Sequence, residues 1–138
     1  MLPFKKMLIL ILVVFMTASC AGIERQIIIV EKQYETGMYE DFQEITNRKK
    51  VNVVKKILHN AKWQQMKVDM AREADYQFIF QFVDPNIQTK AILYSIWISP
   101  DKDTLEVVAG DNQYVHLNNE DSQKLFEALT DTNLADIN

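Results

Sequence analysis

The sequence predicts a single α+β domain, in which an antiparallel sheet of four to six strands packs against two amphipathic helices on one face. Two observations carry this prediction. Short runs of β-branched and aromatic residues alternate with turn residues, and two segments show apolar residues at helical spacing. In addition, no Pro, Gly or Ser-rich linker divides the 138 residues. With 48% apolar residues and one cysteine, the composition excludes a disordered chain, a disulfide scaffold and a Cys-ligated zinc domain.

The first 19 residues have the pattern of a secretory signal peptide. Two lysines precede an unbroken apolar run from Met7 to Met16, and the run is followed by small residues. The run is shorter than the roughly 20 apolar residues that a membrane-spanning helix needs. We therefore expect residues 1–19 to be removed on export.

The single cysteine, Cys20, follows the small residues directly and resembles the lipobox cysteine of bacterial lipoproteins. In that family a diacylglyceryl group is attached to the cysteine before cleavage, which implies that Cys20 becomes the first residue of the mature chain. Ala18 and Ser19 match the lipobox, whereas Thr17 stands where the family usually has an aliphatic residue. We expect residues 20–138 to form one extracytoplasmic domain, anchored by lipid at Cys20 on the outer face of the cytoplasmic membrane.

The first half of this domain is predicted to contain two strands and a helix. β-Branched residues favour a strand at 25–33, and a second extended segment is predicted at 39–45. Asn47 is a candidate N-cap for a helix that runs to about Lys62. The apolar stripe of this helix consists of Val51, Val54, Ile57, Leu58 and Ala61.

Four strands are predicted in the second half. The run 76–83 alternates between two faces, and the run 91–99 is apolar on both faces, which is typical of a central strand. Residues 104–109 and 113–117 are predicted to form a hairpin around a Gly-Asp-Asn turn.

A last helix is predicted to begin at Asn118 or Asn119. Glu120 and Asp121 favour its N-terminus, where the helix dipole is positive. Its apolar stripe consists of Leu125, Phe126 and Leu129.

Charge is segregated along the mature chain, which has 13 basic and 19 acidic side chains and so a net charge of −6. The net charge is −4 for residues 20–47, +7 for 48–72 and −9 for 73–138. The basic block predicts a helix face that binds anionic lipid or wall polymer through Lys49, Lys50, Lys55 and Lys56. The alternative is a solvated face that pairs with the acidic half of the same domain. A negative net charge on an exported chain disfavours nucleic acid as a partner.

The run VNVVKKILHNAKW, followed by DYQFIF, ILYSIWISPDKDTLEVV and DSQKLFEAL, resembles the YhfM-like group of small lipoproteins from spore-forming Gram-positive bacteria. The likeness covers most of residues 25 to 130, and its motifs are hydrophobic patterns rather than catalytic ones. The resemblance implies a lipoprotein on the outer face of a Gram-positive cytoplasmic membrane. It supplies no site residues.

The chain lacks the spacings that catalytic and metal sites require. His59 and His116 are the only histidines, and no H-x-x-x-H or Cys/His pattern is present. Four acids near one turn could offer oxygens to calcium, but they lack EF-hand spacing, so we read them as solvated turn residues: Asp101, Asp103, Glu106 and Asp111. Neither a G-x-S-x-G elbow nor a P-loop occurs, which predicts a non-catalytic protein without a cofactor. The twelve acids of residues 73–138 leave a carboxylate pair of the glycosidase type open.

The sheet face opposite the helices is a second candidate binding surface. It is predicted to expose Ser95, Trp97, Glu106, Tyr114 and His116 from neighbouring strands. The alternative places Trp97 in the core. The sequence therefore predicts a non-catalytic binding module at the membrane or wall surface. The alternative function is an inhibitor or accessory subunit of another envelope protein.

Overall fold

The computed structural model describes residues 24–138, so the predicted signal peptide and the predicted lipid site at Cys20 lie outside the described residues. The described chain forms nine regular elements and a final 3-10 turn at Leu134–Asp136. In chain order the nine are β1 (Gln26–Glu35), β2 (Met38–Ile45), α1 (Arg48–Asn60), β3 (Gln64–Gln65), β4 (Tyr76–Phe82), β5 (Tyr94–Ile98), β6 (Leu105–Ala109), β7 (Gln113–His116) and α2 (Asn119–Thr130).

All the strands join one antiparallel sheet in the order β2-β1-β4-β5-β6-β7-β3. The α+β class is confirmed, but the sheet has seven strands, and the prediction of four to six is wrong. The unpredicted strand is β3, where Gln64 and Gln65 pair with the beginning of β7. Two glutamines carry no apolar alternation, so this edge pairing depends on backbone hydrogen bonds that leave no pattern in the sequence.

The start of β5 differs from the prediction. The strand predicted at 91–99 begins only at Tyr94, because residues 91–93 diverge from β4 and belong to the connection between β4 and β5. We call residues 83–93 the β4–β5 connection.

Both helices pack on the same face of the sheet and form one core with it. The predicted stripe of α1 is buried except at Ala61, which is partly buried, and the predicted stripe of α2 is buried completely. The strands alternate, so every second residue faces this core. The buried strand residues of the cluster are Ile28, Val30, Ile45, Tyr76, Phe78, Ile96, Leu105, Val107 and Val115.

Side chains fix the ends of both helices. The Asn47 Oδ1 atom accepts a hydrogen bond from the Lys50 N–H at 3.2 Å, which confirms Asn47 as the N-cap of α1. The Asn118 Oδ1 atom accepts from the Asp121 N–H at 2.8 Å, so Asn118 caps α2. Helix α2 ends at Thr130, and its C-cap Asp131 has a left-handed backbone with φ of 57°.

Candidate functional site

One end of the sheet gathers the start of β1 and the end of β4, because Gln26 pairs with Phe82. We call it the proximal end, since the chain enters the domain there from the side of Cys20. Gln26 follows Cys20 by six residues, and a chain of that length spans at most about 22 Å. A lipid on Cys20 would therefore keep the proximal end close to the membrane.

A cleft of about 650 Å³ opens at the proximal end between α1, β4 and the β4–β5 connection. It exists because β4 pairs with β1 along its whole length but with β5 only over Tyr76–Phe78. Residues 79–82 therefore have a strand neighbour on one side and the cleft on the other. A volume of this size lies within the usual range of small-molecule sites.

Apolar side chains form the floor of the cleft. The Phe80 and Tyr94 rings meet edge to face with their centroids 5.9 Å apart, and Leu58 of α1 lies beside them. Tyr94 also stacks on the buried Phe78 ring at 4.9 Å. Burial raises the pKa of Tyr94, so this phenol stays neutral at physiological pH. The floor is thus apolar and uncharged.

Basic side chains stand at the rim of the cleft. The Lys55 Nζ atom lies 5.9 Å from the centroid of the Phe80 ring, and His59 and Lys90 line the same cleft. The only lining acid is Asp84, whose Oδ1 atom already accepts a hydrogen bond from the Asn86 N–H at 2.9 Å. The rim therefore has a positive balance, next to an apolar floor.

The β4–β5 connection exposes an unusual amount of apolar surface. Val83 is 51% exposed, Ile92 54% and Leu93 41%, and Ile92 itself lines the cleft. Ile87 and Ile92 form the apolar lip of the cleft, whereas Leu93 lies beside Ile29 and Ile79 outside it. A lip of this kind is typical of a surface that meets a partner or a membrane.

The four predicted lysines of α1 do not share one face. Lys49 and Lys56 are exposed on the side of the helix away from the core, as their seven-residue spacing requires. Lys50 forms an ion pair with Asp131 at the end of α2, while Lys55 lies at the cleft. Only Lys55 of the four therefore combines its charge with an apolar binding surface.

The predicted residues of the opposite sheet face do come together. Trp97, Glu106 and His116 are aligned across β5, β6 and β7, and Ser95 and Tyr114 flank Val108 in the next row. Trp97 is half-buried and lies outside the core cluster. The structure thus has the predicted aromatic and polar row on the face that the helices leave open.

Hydrogen bonds hold this row in place. The Tyr114 hydroxyl donates to Glu106 Oε1 at 2.5 Å, and the Trp97 Nε1–H donates to the Arg72 carbonyl at 2.8 Å. The His116 Nε2 atom lies 2.9 Å from Thr104 Oγ1. Burial, and then the hydrogen bond to Glu106, raises the pKa of Tyr114 to about 12. These side chains already have partners within the domain, which leaves fewer free groups for a ligand than in the cleft.

Sequence reasoning missed the support that Arg72 and Asp75 give to this face. The guanidinium donates to both carboxylate oxygens of Asp75 at 2.6 and 2.9 Å, and the hydrogen bond to Asp75 raises the pKa of Arg72. The Asp75 Oδ2 atom also accepts from the Ile98 N–H at 2.7 Å. Both residues lie before β4 in a stretch without periodicity, so only tertiary contacts reveal their role.

Potential metal ligands are dispersed. No group of three or more His, Cys, Asp or Glu side chains in residues 24–138 lies close enough together to hold a metal ion. His59 lines the cleft, whereas His116 lies on the open sheet face. Of the four acids considered for calcium, Asp103 accepts from the Ser99 hydroxyl at 2.9 Å and Glu106 from Tyr114. Within the described part of the chain, no helix is long and apolar enough to cross a membrane.

Comparison with known proteins gives one match. A family model described as YhfM protein matches residues 23–134. No curated protein and no solved structure matches the chain.

Proposed function

The chain belongs to the YhfM family, and from this premise we propose that it is a lipid-anchored, extracytoplasmic, non-catalytic binding module at the membrane surface. The anchor is proposed at Cys20 and the ligand site at the proximal cleft. The signal-peptide pattern and the lipobox-like cysteine support the location. The non-catalytic role is supported by a sequence without a nucleophile elbow or a P-loop.

The observation that carries the proposal is the position of the cleft. Its wall includes Gln26, six residues after Cys20, and the exposed apolar lip of the β4–β5 connection borders it. A cleft with an apolar floor and a basic rim, next to the start of a domain anchored as proposed, would suit molecules of the membrane surface.

Intact mass and membrane fractionation of the full-length chain test the location. The chain is expressed in a Gram-positive host beside Cys20→Ser, which keeps the size of the side chain but removes the sulfur that would carry the lipid. We expect a membrane-bound chain that begins at a lipid-bearing Cys20, and a soluble or uncleaved chain for the variant. A wild-type chain that is secreted without lipid would overturn the proposed anchor.

Assays of the purified full-length chain test the non-catalytic role. Hydrolase activity that is reproducible and is abolished by one carboxylate substitution would contradict it.

A second candidate function is that of an inhibitor or accessory subunit that docks on another envelope protein. The open sheet face favours it, because Trp97 is aligned there with Glu106 and His116. Ile29 and Ile79 add a half-buried apolar pair elsewhere on the same face, next to Leu93. Cross-linking in intact cells separates the two functions. One specific protein adduct that is lost in Trp97→Ala supports docking, whereas adducts to lipid alone support the membrane-surface module.

A further inference from the structure

We propose that the proximal cleft binds one anionic glycerophospholipid of the membrane, with an acyl chain on the apolar floor and the phosphate at the basic rim. This inference rests on the proposed function and names the ligand of that site. It is carried by four features that meet at one place: an apolar floor, a basic rim, a free strand edge and an exposed apolar lip.

The floor suits a hydrocarbon chain. Phe80, Tyr94 and Leu58 present carbon surface, and edge-to-face packing of the two rings holds the floor in shape. Burying an acyl chain there is favourable, because each CH₂ group leaves water for an apolar surface. A free phosphate would gain nothing from this surface.

The rim suits a phosphate. Neither Lys55 nor Lys90 belongs to the three ion pairs among residues 24–138, so neither ammonium has to leave a carboxylate before it binds a ligand. Lys55 lies over the Phe80 ring, at the boundary between floor and rim. A lipid that rests its chain on Phe80 would therefore bring its phosphate to Lys55.

The strand edge can supply further contacts. Residues 79–82 of β4 pair only with β1, so the backbone on their other side faces the cleft without a strand partner. Peptide groups at such an edge form hydrogen bonds readily, and the phosphate and ester oxygens of a glycerophospholipid accept them.

The lip gives the lipid a path into the cleft. Ile87 and Ile92 of the β4–β5 connection line the cleft, and Ile92 is 54% exposed. If the anchored proximal end faces the bilayer, this lip touches the acyl region, and a lipid can move from the bilayer to the cleft without crossing water.

Native mass spectrometry of the full-length chain in non-ionic detergent tests the proposal. The chain is mixed with phosphatidylglycerol or with phosphatidylcholine of the same chain length, and non-covalent adducts are counted apart from any covalent anchor. We expect one phosphatidylglycerol adduct per chain and weaker binding of phosphatidylcholine. Lys55→Gln combined with Lys90→Gln should weaken the adduct about thirtyfold, since each of the two basic side chains near an anionic group contributes about 1 kcal/mol.

Lys49→Gln combined with Lys56→Gln is the matched control, because it removes the same charge at sites outside the cleft. This control should keep the affinity for phosphatidylglycerol within about twofold of the wild-type affinity, which corresponds to less than 0.5 kcal/mol. A second variant, Ala91→Trp, places a bulky side chain in the cleft from an exposed position and should abolish the adduct. Circular dichroism of each variant establishes that the fold is retained.

Three results would overturn the proposal: equal binding of the two lipids, an equal loss in the control, or an unchanged adduct in Ala91→Trp. Displacement of the phosphatidylglycerol adduct by inorganic phosphate would also overturn the proposal, because the cleft would then bind anions without using its apolar floor. The proposed location at the membrane fails separately, through the Cys20→Ser fractionation.

Discussion

The Tyr114 hydroxyl of β7 donates a hydrogen bond to the Glu106 carboxylate on the neighbouring strand β6, with 2.5 Å between the two oxygens. The contact joins two residues of the open sheet face across the hairpin that β6 and β7 form. Because the carboxylate accepts the phenolic hydrogen, it opposes loss of that hydrogen. Together with burial, this raises the pKa of Tyr114 from 10.0 to about 12.

This contact predicts a loss of stability at high pH. The folded state holds the Tyr114 proton more tightly than the unfolded state, so the stabilisation is complete below the unfolded pKa of 10.0 and is lost as pH rises to about 12. The difference in phenolate absorbance between wild type and Tyr114→Phe should show this late titration. Glu106→Gln should shift it to lower pH, though not fully, because burial is the larger cause. Each curve is divided by its number of tyrosines, which is five in wild type and four in Tyr114→Phe. If the two scaled curves coincide above pH 10, the assignment to Tyr114 is contradicted.

A buried hydroxyl links α2 to the sheet. Ser122 is 0% exposed, and its Oγ atom accepts a hydrogen bond from the Leu105 N–H at 2.9 Å. Ser122→Ala leaves that buried N–H without its partner, so we expect a loss of about 1–3 kcal/mol in the free energy of unfolding. Urea denaturation measures it. Ser95→Ala, which removes a hydroxyl from the opposite sheet face, is the control, and an equal effect there would refute the special role of Ser122.

The two asparagine caps should each contribute measurably to stability. We expect Asn47→Ala and Asn118→Ala each to lower the free energy of unfolding by about 1 kcal/mol, because each leaves a helix N–H without its acceptor. Asn118→Asp should retain most of the stability, since a carboxylate caps equally well. Asn119→Ala changes the adjacent residue, which is not the cap, and should have a smaller effect. Thermal unfolding distinguishes these variants, and equal losses at 118 and 119 would argue against the cap.

One aromatic pair lies between α2 and β4. Phe126 is 1% exposed and meets the Tyr76 ring edge to face, with 5.6 Å between the centroids. Phe126→Ala should therefore lower the free energy of unfolding by about 3–5 kcal/mol. Val53→Ala on the exposed side of α1 should change it by no more than about 0.5 kcal/mol. Urea denaturation followed by tryptophan fluorescence measures both, and a small effect at Phe126 would show that the core repacks.

The sequence predicted those parts of the fold that depend on local periodicity. Apolar spacing predicts both helices, their apolar stripes and six of the strands. Alternation also predicts the row of Trp97, Glu106 and His116 on the open sheet face, once neighbouring strands are paired correctly. The strand predicted from residue 91 was extended too far, because Ala91 to Leu93 are as apolar as the strand that follows. The pattern shows that these residues are apolar but not whether they are buried, and in the structure all three are exposed.

The cleft could not be predicted for the same reason. It depends on how far β5 continues along β4, and this length is set by pairing between residues distant in sequence. The charge pattern did indicate a basic helix, but it could not separate Lys50, which pairs with Asp131, from Lys55, which lies at the cleft. That distinction requires the packing of α1 against both α2 and β4.

The two edges of the sheet also bear on how copies of the chain behave when they are crowded. β3 offers only two residues for pairing, and the register of β2 on β1 shifts twice, between Val30 and Glu31 and between Gln33 and Glu35. Short or irregular edges are poor templates for a strand from another molecule. Proteins tethered to a bilayer collide in two dimensions at high effective concentration. If the chain is anchored as proposed, the short β3 and the irregular β2 would therefore disfavour pairing between neighbouring copies at these two edges.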